Sequence, residues 1–281
     1  MNRPLLIIIC LLCSLASHAQ VNGQPSGAKA ANTAKKTISH RQDFQLMEHS
    51  GILYQQFTYH ANAAEKKANA AEMTANGPDT PTNTADTPAD APQKPALIIY
   101  LHGRSGSGKD NRKQLESPAV DSIVNYIRKK HMPAYLIAPQ CPATHEWVSS
   151  QRSPGYIDRV EQLIAYYLET GAVDPGRVYI CGVSMGGQGT WYLVKNHPDI
   201  ITAAFIASAR QFMVRPEDCT EVPLYVTVGG EERSAAALNS FTSEIRELQG
   251  NVQFEILPGL DHPRACDQAF SEKRLQWIFS Q

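Results

Sequence analysis

The sequence has no excess of charge of either sign: 26 Lys and Arg stand against 27 Asp and Glu. No basic tract or stripe interrupts that balance, and a nucleic-acid partner would need one. An anionic membrane surface or an acidic polymer finds no counterpart either. Cysteine is scarce, at six in 281 residues. The four beyond the N-terminal leader, Cys141, Cys181, Cys219 and Cys266, lack the paired C-x-x-C spacing of a zinc site. The apolar run from Leu5 to Leu15, broken only by Ser14, falls short of the roughly 20 residues a membrane-spanning helix needs.

That short run has the marks of a targeting segment. Arg3 supplies a positive start, and Ser17-His18-Ala19 puts small residues at the two positions that govern cleavage. The expectation is a leader over residues 1–19, cut after Ala19, and a periplasmic or secreted product with no lasting membrane span. Lipid attachment is not expected, because Cys10 follows Ile9 and Cys13 follows Leu12 where a small residue would be wanted. An oxidising compartment would permit a disulfide, but spacing does not choose among the three pairings of four cysteines.

Residues 20–60 form an N-terminal segment ending in a hairpin pattern, "FQLMEHSGILYQQFTYH", with Gly51 near its turn. Residues 61–95 are rich in Ala, Thr, Asn, Asp and Pro and nearly free of large apolar side chains. Such a stretch buries too little surface to offset its ordering entropy, so it is expected to be a disordered insertion. From Ala96 to the end, strand and helix patterns alternate. "ALIIYLHG", "AYLIAPQ", "RVYICGVS", "AAFIASA", "PLYVTVGG" and "VQFEILPG" read as strands. "PAVDSIVNYIRKK", "YIDRVEQLIAYYLE", "GQGTWYLVKNHP", "AAALNSFTSEIRELQG", with Gly250 just past its end, and "DQAFSEKRLQWIFSQ" read as helices. This order predicts an α/β fold, a mostly parallel sheet covered on both faces, with residues 96–281 and 37–60 in one domain. Ligands bind such sheets at the carboxyl ends of the strands.

One such strand end carries Gly182-Val183-Ser184-Met185-Gly186, a G-x-S-x-G motif between a strand and a helix. That context makes the motif informative. A sharp turn lifts the Ser hydroxyl clear of the sheet, and the two glycines let neighbouring elements approach. A nucleophilic Ser184 needs a base and an orienting acid in the chain order Ser, acid, His. His262, in "LPGLDHPRAC", is the histidine that lies after the seventh strand. The acid is expected after "PLYVTV", where Glu231 and Glu232 are both candidates. Asp261 adjoins His262 too closely along the chain to orient it well.

The segment "GRSGSGKD" at Gly103 to Asp110 has two readings. Gly103, Gly108 and Lys109 fit the spacing of a phosphate-binding loop, but Asp110 stands where a metal-binding Ser or Thr is required. The alternative is an oxyanion loop. Acyl transfer needs amides aimed at the developing oxyanion: one from Met185 after the nucleophile, the other from a loop after an earlier strand, often marked His-Gly. His102-Gly103 fits and makes the Arg104 amide the second donor. Trp147, just past a strand end, is expected to line the substrate site together with His102. Arg210, after the sixth strand, has two readings: a contact for an acyl or carboxylate group, or a solvated side chain.

With these residues in view, the chain resembles the α/β-hydrolase superfamily. More narrowly, it resembles the bacterial predicted-peptidase and esterase branch near polyhydroxybutyrate depolymerases, feruloyl esterases and dienelactone hydrolases. The resemblance rests on "LIIYLHGRSGSGKDN", "LIAPQCP" with Trp147, "VDPGRVYICGVSMGGQGTWYLVKNHPD" and "PGLDH", and covers about residues 96–281. It implies Ser184 as nucleophile, His262 as base, Arg104 and Met185 as oxyanion donors, and no metal or organic cofactor. The family commonly shows H-G-x-x-D at the acid loop; here Val228-Gly229-Gly230-Glu231-Glu232 spans it, which sets Glu232 at the Asp position. The expected reaction is hydrolysis of carboxylic esters, small or polysaccharide-linked. A peptidase of the same fold is the alternative, although the chain has no length for the propeller domain usual in prolyl-type peptidases. A silent binding protein on this fold is a reading from a different class.

Overall fold

A computed structural model describes residues 41–60 and 93–281. The expected leader over 1–19 lies outside the described residues, as does the expected insertion over 61–95 apart from residues 93–95.

The first described strands, β1 (Gln45–His49) and β2 (Ile52–Tyr59), pair antiparallel with His49 opposite Ile52. The two-residue turn between them has φ 49° at Ser50 and 74° at Gly51. Two positive φ values give the turn hand that matches the natural twist of a hairpin, and Gly51 adopts it without steric cost.

Then follow β3 (Ala96–Leu101), α1 (Pro118–Lys129), β4 (Ala134–Pro139), α2 (Ile157–Glu169), β5 (Val178–Val183), α3 (Met185–Asn196) and β6 (Ala203–Ala207). The chain closes with β7 (Leu224–Gly229), α4 (Ala235–Glu247), β8 (Val252–Leu257), α5 (His262–Gln268) and α6 (Glu272–Phe279). Among the described residues, eight strands form one sheet in the order β1-β2-β4-β3-β5-β6-β7-β8. β2 pairs antiparallel with β4, and every pair from β4 to β8 is parallel. The fold is α/β, as the alternating pattern predicts.

The reason for the continuous apolar runs is visible in β3, all six of whose residues are buried. Leu97, Ile99 and Leu101 point to one core, which packs against α2, α3 and α4. Ala96, Ile98 and Tyr100 point to the other, against α1 and α6. A strand with helices on both faces has no solvent side, so the period of two appears as a choice between cores. α1 starts as expected, with Pro118 in its first turn and the Ser117 hydroxyl accepting the Ala119 amide at 3.3 Å.

Three details depart from the pattern. The helix after β5 begins at Met185, directly after Ser184, rather than at Gly187. The left-handed residue after α4 is Gln249, φ 67°, not Gly250. Gly250 sits where a side chain would press on Ile245. The single closing helix expected from Asp267 is two. Ala269 and Phe270 are buried between α5 and α6, and Phe270 stacks on Phe205 with ring centroids 4.3 Å apart. The chain turns there because that apolar pair is drawn into the core, a contact no local periodicity encodes.

Candidate active site

The parallel strands end together, and the candidate residues come from those ends. Ser184 follows β5, Ser208 follows β6, Glu232 lies in the turn after β7, and His262 opens α5 after β8. Ser184 has φ 52° and ψ −117°, a conformation costly for a residue with a side chain. Its amide donates to the Ala207 carbonyl at 2.8 Å, which ties the turn to the neighbouring strand. The flanking glycines explain how the turn is tolerated. A Cβ at Gly186 would collide with the Leu101 carbonyl, and one at Gly182 with the Gly186 backbone and the Thr190 hydroxyl.

The Ser184 hydroxyl donates to His262 Nε2 at 2.8 Å. His262 Nδ1–H donates to Glu232 Oε2 at 2.7 Å. A carboxylate can only accept, so this contact places the ring proton on Nδ1 and leaves Nε2 free to take another. Glu232 is held by its second oxygen, which accepts the Gly229 amide at 2.8 Å. Glu231 points away and pairs with Arg264 at 3.5 Å on the surface. Of the two candidate acids, the structure therefore brings Glu232 to the histidine. Asp261 caps α5, accepting the Arg264 amide at 3.1 Å and its Nε at 3.0 Å. His262 is thus the first residue of a capped helix, not a member of a loose loop.

Burial pushes the Glu232 carboxyl up, but hydrogen bonding from His262, the nearby Ser208 hydroxyl and the Gly229 amide outweigh it, and the net shift is downward. The Ser208 hydroxyl has no partner of ordinary hydrogen-bond geometry, so its effect on Glu232 is that of a close dipole. His262 is held above the usual imidazole range by Cys266, whose Sγ lies 4.0 Å from Nε2, and by Glu232, against the opposing effect of burial. A neutral thiol exerts no net Coulombic pull, so in the resting site the Glu232 carboxylate carries the effect.

Arg104 and Met185 each begin a helical turn, Arg104–Gly106 and α3 respectively. The first amide of a helical turn has no acceptor within that turn. Gly103 brings the first of these turns against the nucleophile: a Cβ there would stand 3.4 Å from that of Ser184. The loop is fastened from below. His102 Nε2 accepts the Cys141 amide at 3.0 Å, so Nδ1 carries the proton it donates to the Gly103 carbonyl at 2.6 Å. Burial lowers the His102 pKa to about 4, so the ring is neutral at ordinary pH. Gln140 Nε2 donates to the Gly106 carbonyl at 3.0 Å and to Asp110 Oδ1 at 2.8 Å. Asp110, which weakens the phosphate-loop reading, also accepts the amides of Arg112 and Lys113 at 3.0 and 3.2 Å. It closes the loop's own turn.

Trp147 requires a correction. It is 0% exposed and does not wall the site. Its indole N–H donates to the His102 carbonyl at 2.9 Å, its ring lies 5.0 Å from the imidazole of His102, and it fills space beside Gly189. A large apolar ring with one donor fits this place, where it supports the oxyanion loop from the core side. His102, also expected to touch substrate, is 1% exposed with both ring nitrogens bound to backbone. It too is a support for the loop.

Two cavities meet at Ser184, His262 and Arg104. One, of about 720 Å³, is walled by Met185, Gln188, Arg210 and Arg233. The other, of about 590 Å³, is walled by Tyr100, Gln114, Ser117 and Cys266. The pattern reading missed Ser208 and Cys266. Ser208 had one usable signal: Ala207 is in register with Val183, so the residues after them, Ser208 and Ser184, emerge side by side. The cysteines form no disulfide among the described residues, and Cys141, Cys181 and Cys219 are buried.

Residues 137–274 match the dienelactone hydrolase family. No curated relative matches the chain by sequence. Among solved structures, the fold is similar to a thermostable esterase, with TM-score 0.66 and 21% identity, over 85% of this chain and 63% of that one. This chain thus spans less than two thirds of that esterase. It is also similar to the fluorophosphonate-binding serine hydrolase FphF of Staphylococcus aureus, with TM-score 0.57 and 14% identity, over 85% of this chain and 98% of the other. The feruloyl esterase module of Clostridium thermocellum gives TM-score 0.55 and 12% identity, over 84% and 87%. These likenesses show that the chain shares its fold with esterases and serine hydrolases.

Proposed function

We propose that the chain is an exported esterase that works through an acyl-enzyme on Ser184, with His262 as base and Glu232 as the orienting acid. The observation that carries this reading is the unbroken relay from the Ser184 hydroxyl to His262 to Glu232, at 2.8 and 2.7 Å. His262 Nε2 takes the Ser184 proton as the hydroxyl attacks the ester carbonyl. Glu232 keeps the imidazole in the productive tautomer and stabilises the imidazolium. The Arg104 and Met185 amides receive the oxyanion, each contributing about 3–4 kcal/mol when well placed. His262 then protonates the leaving alcohol. Water, activated by the same histidine, releases the acid and restores Ser184. No step calls for a metal or an organic cofactor. The substrate class is small or glycan-linked carboxylic esters, and the leader pattern over residues 1–19 supports export to the periplasm or beyond.

The test is hydrolysis of p-nitrophenyl acetate and butyrate by purified protein beside Ser184→Ala. Turnover by the wild type, abolished in the variant, is the expected result. Equal turnover by both proteins would sink the assignment of Ser184. Sequencing the N-terminus of the protein recovered from its native host tests the leader, which predicts a chain starting at Gln20.

A further inference from the structure

Two metal-ligating side chains meet at the second cavity. His262 and Cys266 stand four residues apart on α5, the spacing that puts both on one face of a helix. Cys266 Sγ lies 4.0 Å from His262 Nε2, and both side chains wall the cavity of about 590 Å³. The other three described cysteines, Cys141, Cys181 and Cys219, are buried, whereas Cys266 is part-exposed. The helix holds the pair in place: Pro263 lies in its first turn, and Asp261 caps it through the Arg264 amide at 3.1 Å. Zinc takes an imidazole nitrogen at about 2.0–2.1 Å and a thiolate sulfur at about 2.3 Å. One ion can therefore span a nitrogen and a sulfur up to about 4.4 Å apart, and this pair falls inside that reach.

The relay itself prepares His262 as a ligand. Its Nδ1–H goes to the Glu232 carboxylate at 2.7 Å, which leaves the Nε2 lone pair for the Ser184 hydroxyl at 2.8 Å or for a competitor. A carboxylate behind an imidazole is also the arrangement that orients a metal-bound histidine and raises its basicity. Among the described residues no three His, Cys, Asp or Glu side chains gather to hold an ion, so two protein donors fit an exchangeable ion rather than a resident one. We propose that His262 Nε2 and Cys266 Sγ form a reversible site for a thiophilic divalent cation of the zinc class, and that its occupation silences the enzyme. The binding stands on these two side chains; the silencing rests on the ester-hydrolase reading above. On binding, the thiol proton leaves to solvent, sulfur and nitrogen each give an electron pair to the cation, and water completes its coordination. The Nε2 pair is then closed to the Ser184 proton, so the hydroxyl stays protonated and acyl transfer stops. Magnesium prefers oxygen donors and is not expected to bind here.

The experiment follows p-nitrophenyl butyrate hydrolysis by the purified protein against added zinc chloride, with magnesium chloride as control and EDTA added at the end. Zinc is expected to inhibit, EDTA to restore the rate, and magnesium to leave it unchanged. In Cys266→Ala and Cys266→Ser, each measured against its own metal-free rate, the zinc concentration for half inhibition is expected to rise by at least about tenfold, since even an outer partner of a metal ligand is worth about 10–100-fold in affinity. Cobalt gives a second readout that needs no turnover: a thiolate-to-cobalt charge-transfer absorption, expected in the wild type and in Ser184→Ala and absent from both Cys266 variants. Equal zinc sensitivity in the wild type and both Cys266 variants overturns the site, as does a cobalt band that is missing from the wild type or survives in both variants. A cobalt band lost with Cys266, beside ester turnover that zinc does not touch, overturns the silencing. Absence of turnover on every ester by metal-free protein, with Ser184 also resisting a fluorophosphonate, overturns the hydrolase reading, and the cobalt band still decides the site.

Discussion

His262 and Glu232 face each other across the ends of two neighbouring strands, Nδ1 to Oε2 at 2.7 Å. Glu231, one residue earlier, turns outward to Arg264. The contact predicts a large asymmetry. Glu232→Gln is expected to lower kcat by roughly 10²–10⁴, since an amide neither fixes the tautomer nor stabilises the imidazolium. Glu231→Gln is expected to stay near wild type. Steady-state kinetics of the two variants on one ester decides it, and the reverse pattern would assign the acid to Glu231.

The same contact sets a pH dependence. His262 acts as base only when neutral, and the Glu232 carboxylate raises its proton affinity. The acid limb of the kcat/KM profile is expected above the usual imidazole range of about 6.5. In Glu232→Gln that limb moves to lower pH, because the favoured form of the ring is no longer the charged one. A limb that stays put in the variant would show that the carboxylate does not act on the ring.

His102 predicts a stability change at acid pH. Its folded pKa is lowered to about 4 by burial, against about 6.5 when unfolded. Between those values the unfolded chain binds more protons, so stability is complete above about pH 6.5 and falls as pH drops toward 4, by about 3 kcal/mol. Urea unfolding at pH 7 and pH 4.5, for wild type and His102→Gln, reads this out. The variant is expected to start less stable at pH 7 and to lose less on acidification.

Trp147→Phe keeps most of the buried ring and deletes the indole donor to the His102 carbonyl. That carbonyl is then left buried without its partner, at a cost of about 1–3 kcal/mol. Because the loop above it carries the Arg104 amide, kcat is expected to fall by more than KM changes. A variant that loses substrate affinity alone would return Trp147 to the wall of the site.

Asp261→Ala separates the cap from the relay. The side chain caps α5 and pairs with Arg264. A modest loss of thermal stability with kcat near wild type is expected. A fall in kcat as deep as that of Glu232→Gln would make Asp261 part of the machinery.

Much of this was legible in the linear order of residues. Runs such as "ALIIYL" and "VYICGV" announce doubly covered strands because both faces must be apolar. The nucleophile turn is readable because Gly182, Ser184 and Gly186 answer local steric demands, which act over a few residues. Chain order then directs attention to His262 and to the pair Glu231 and Glu232. What the order of residues left open involves residues far apart in the chain. Glu232 rather than Glu231 meets the histidine because the β7 turn and α5 pack together, with Gly229 holding one carboxylate oxygen. Trp147 goes under the loop rather than into the site because its N–H finds the His102 carbonyl, 45 residues away. Local sterics and hydrophobic period can be read along a chain, whereas the partner of a polar atom is decided by whichever distant segment packing brings within about 3 Å.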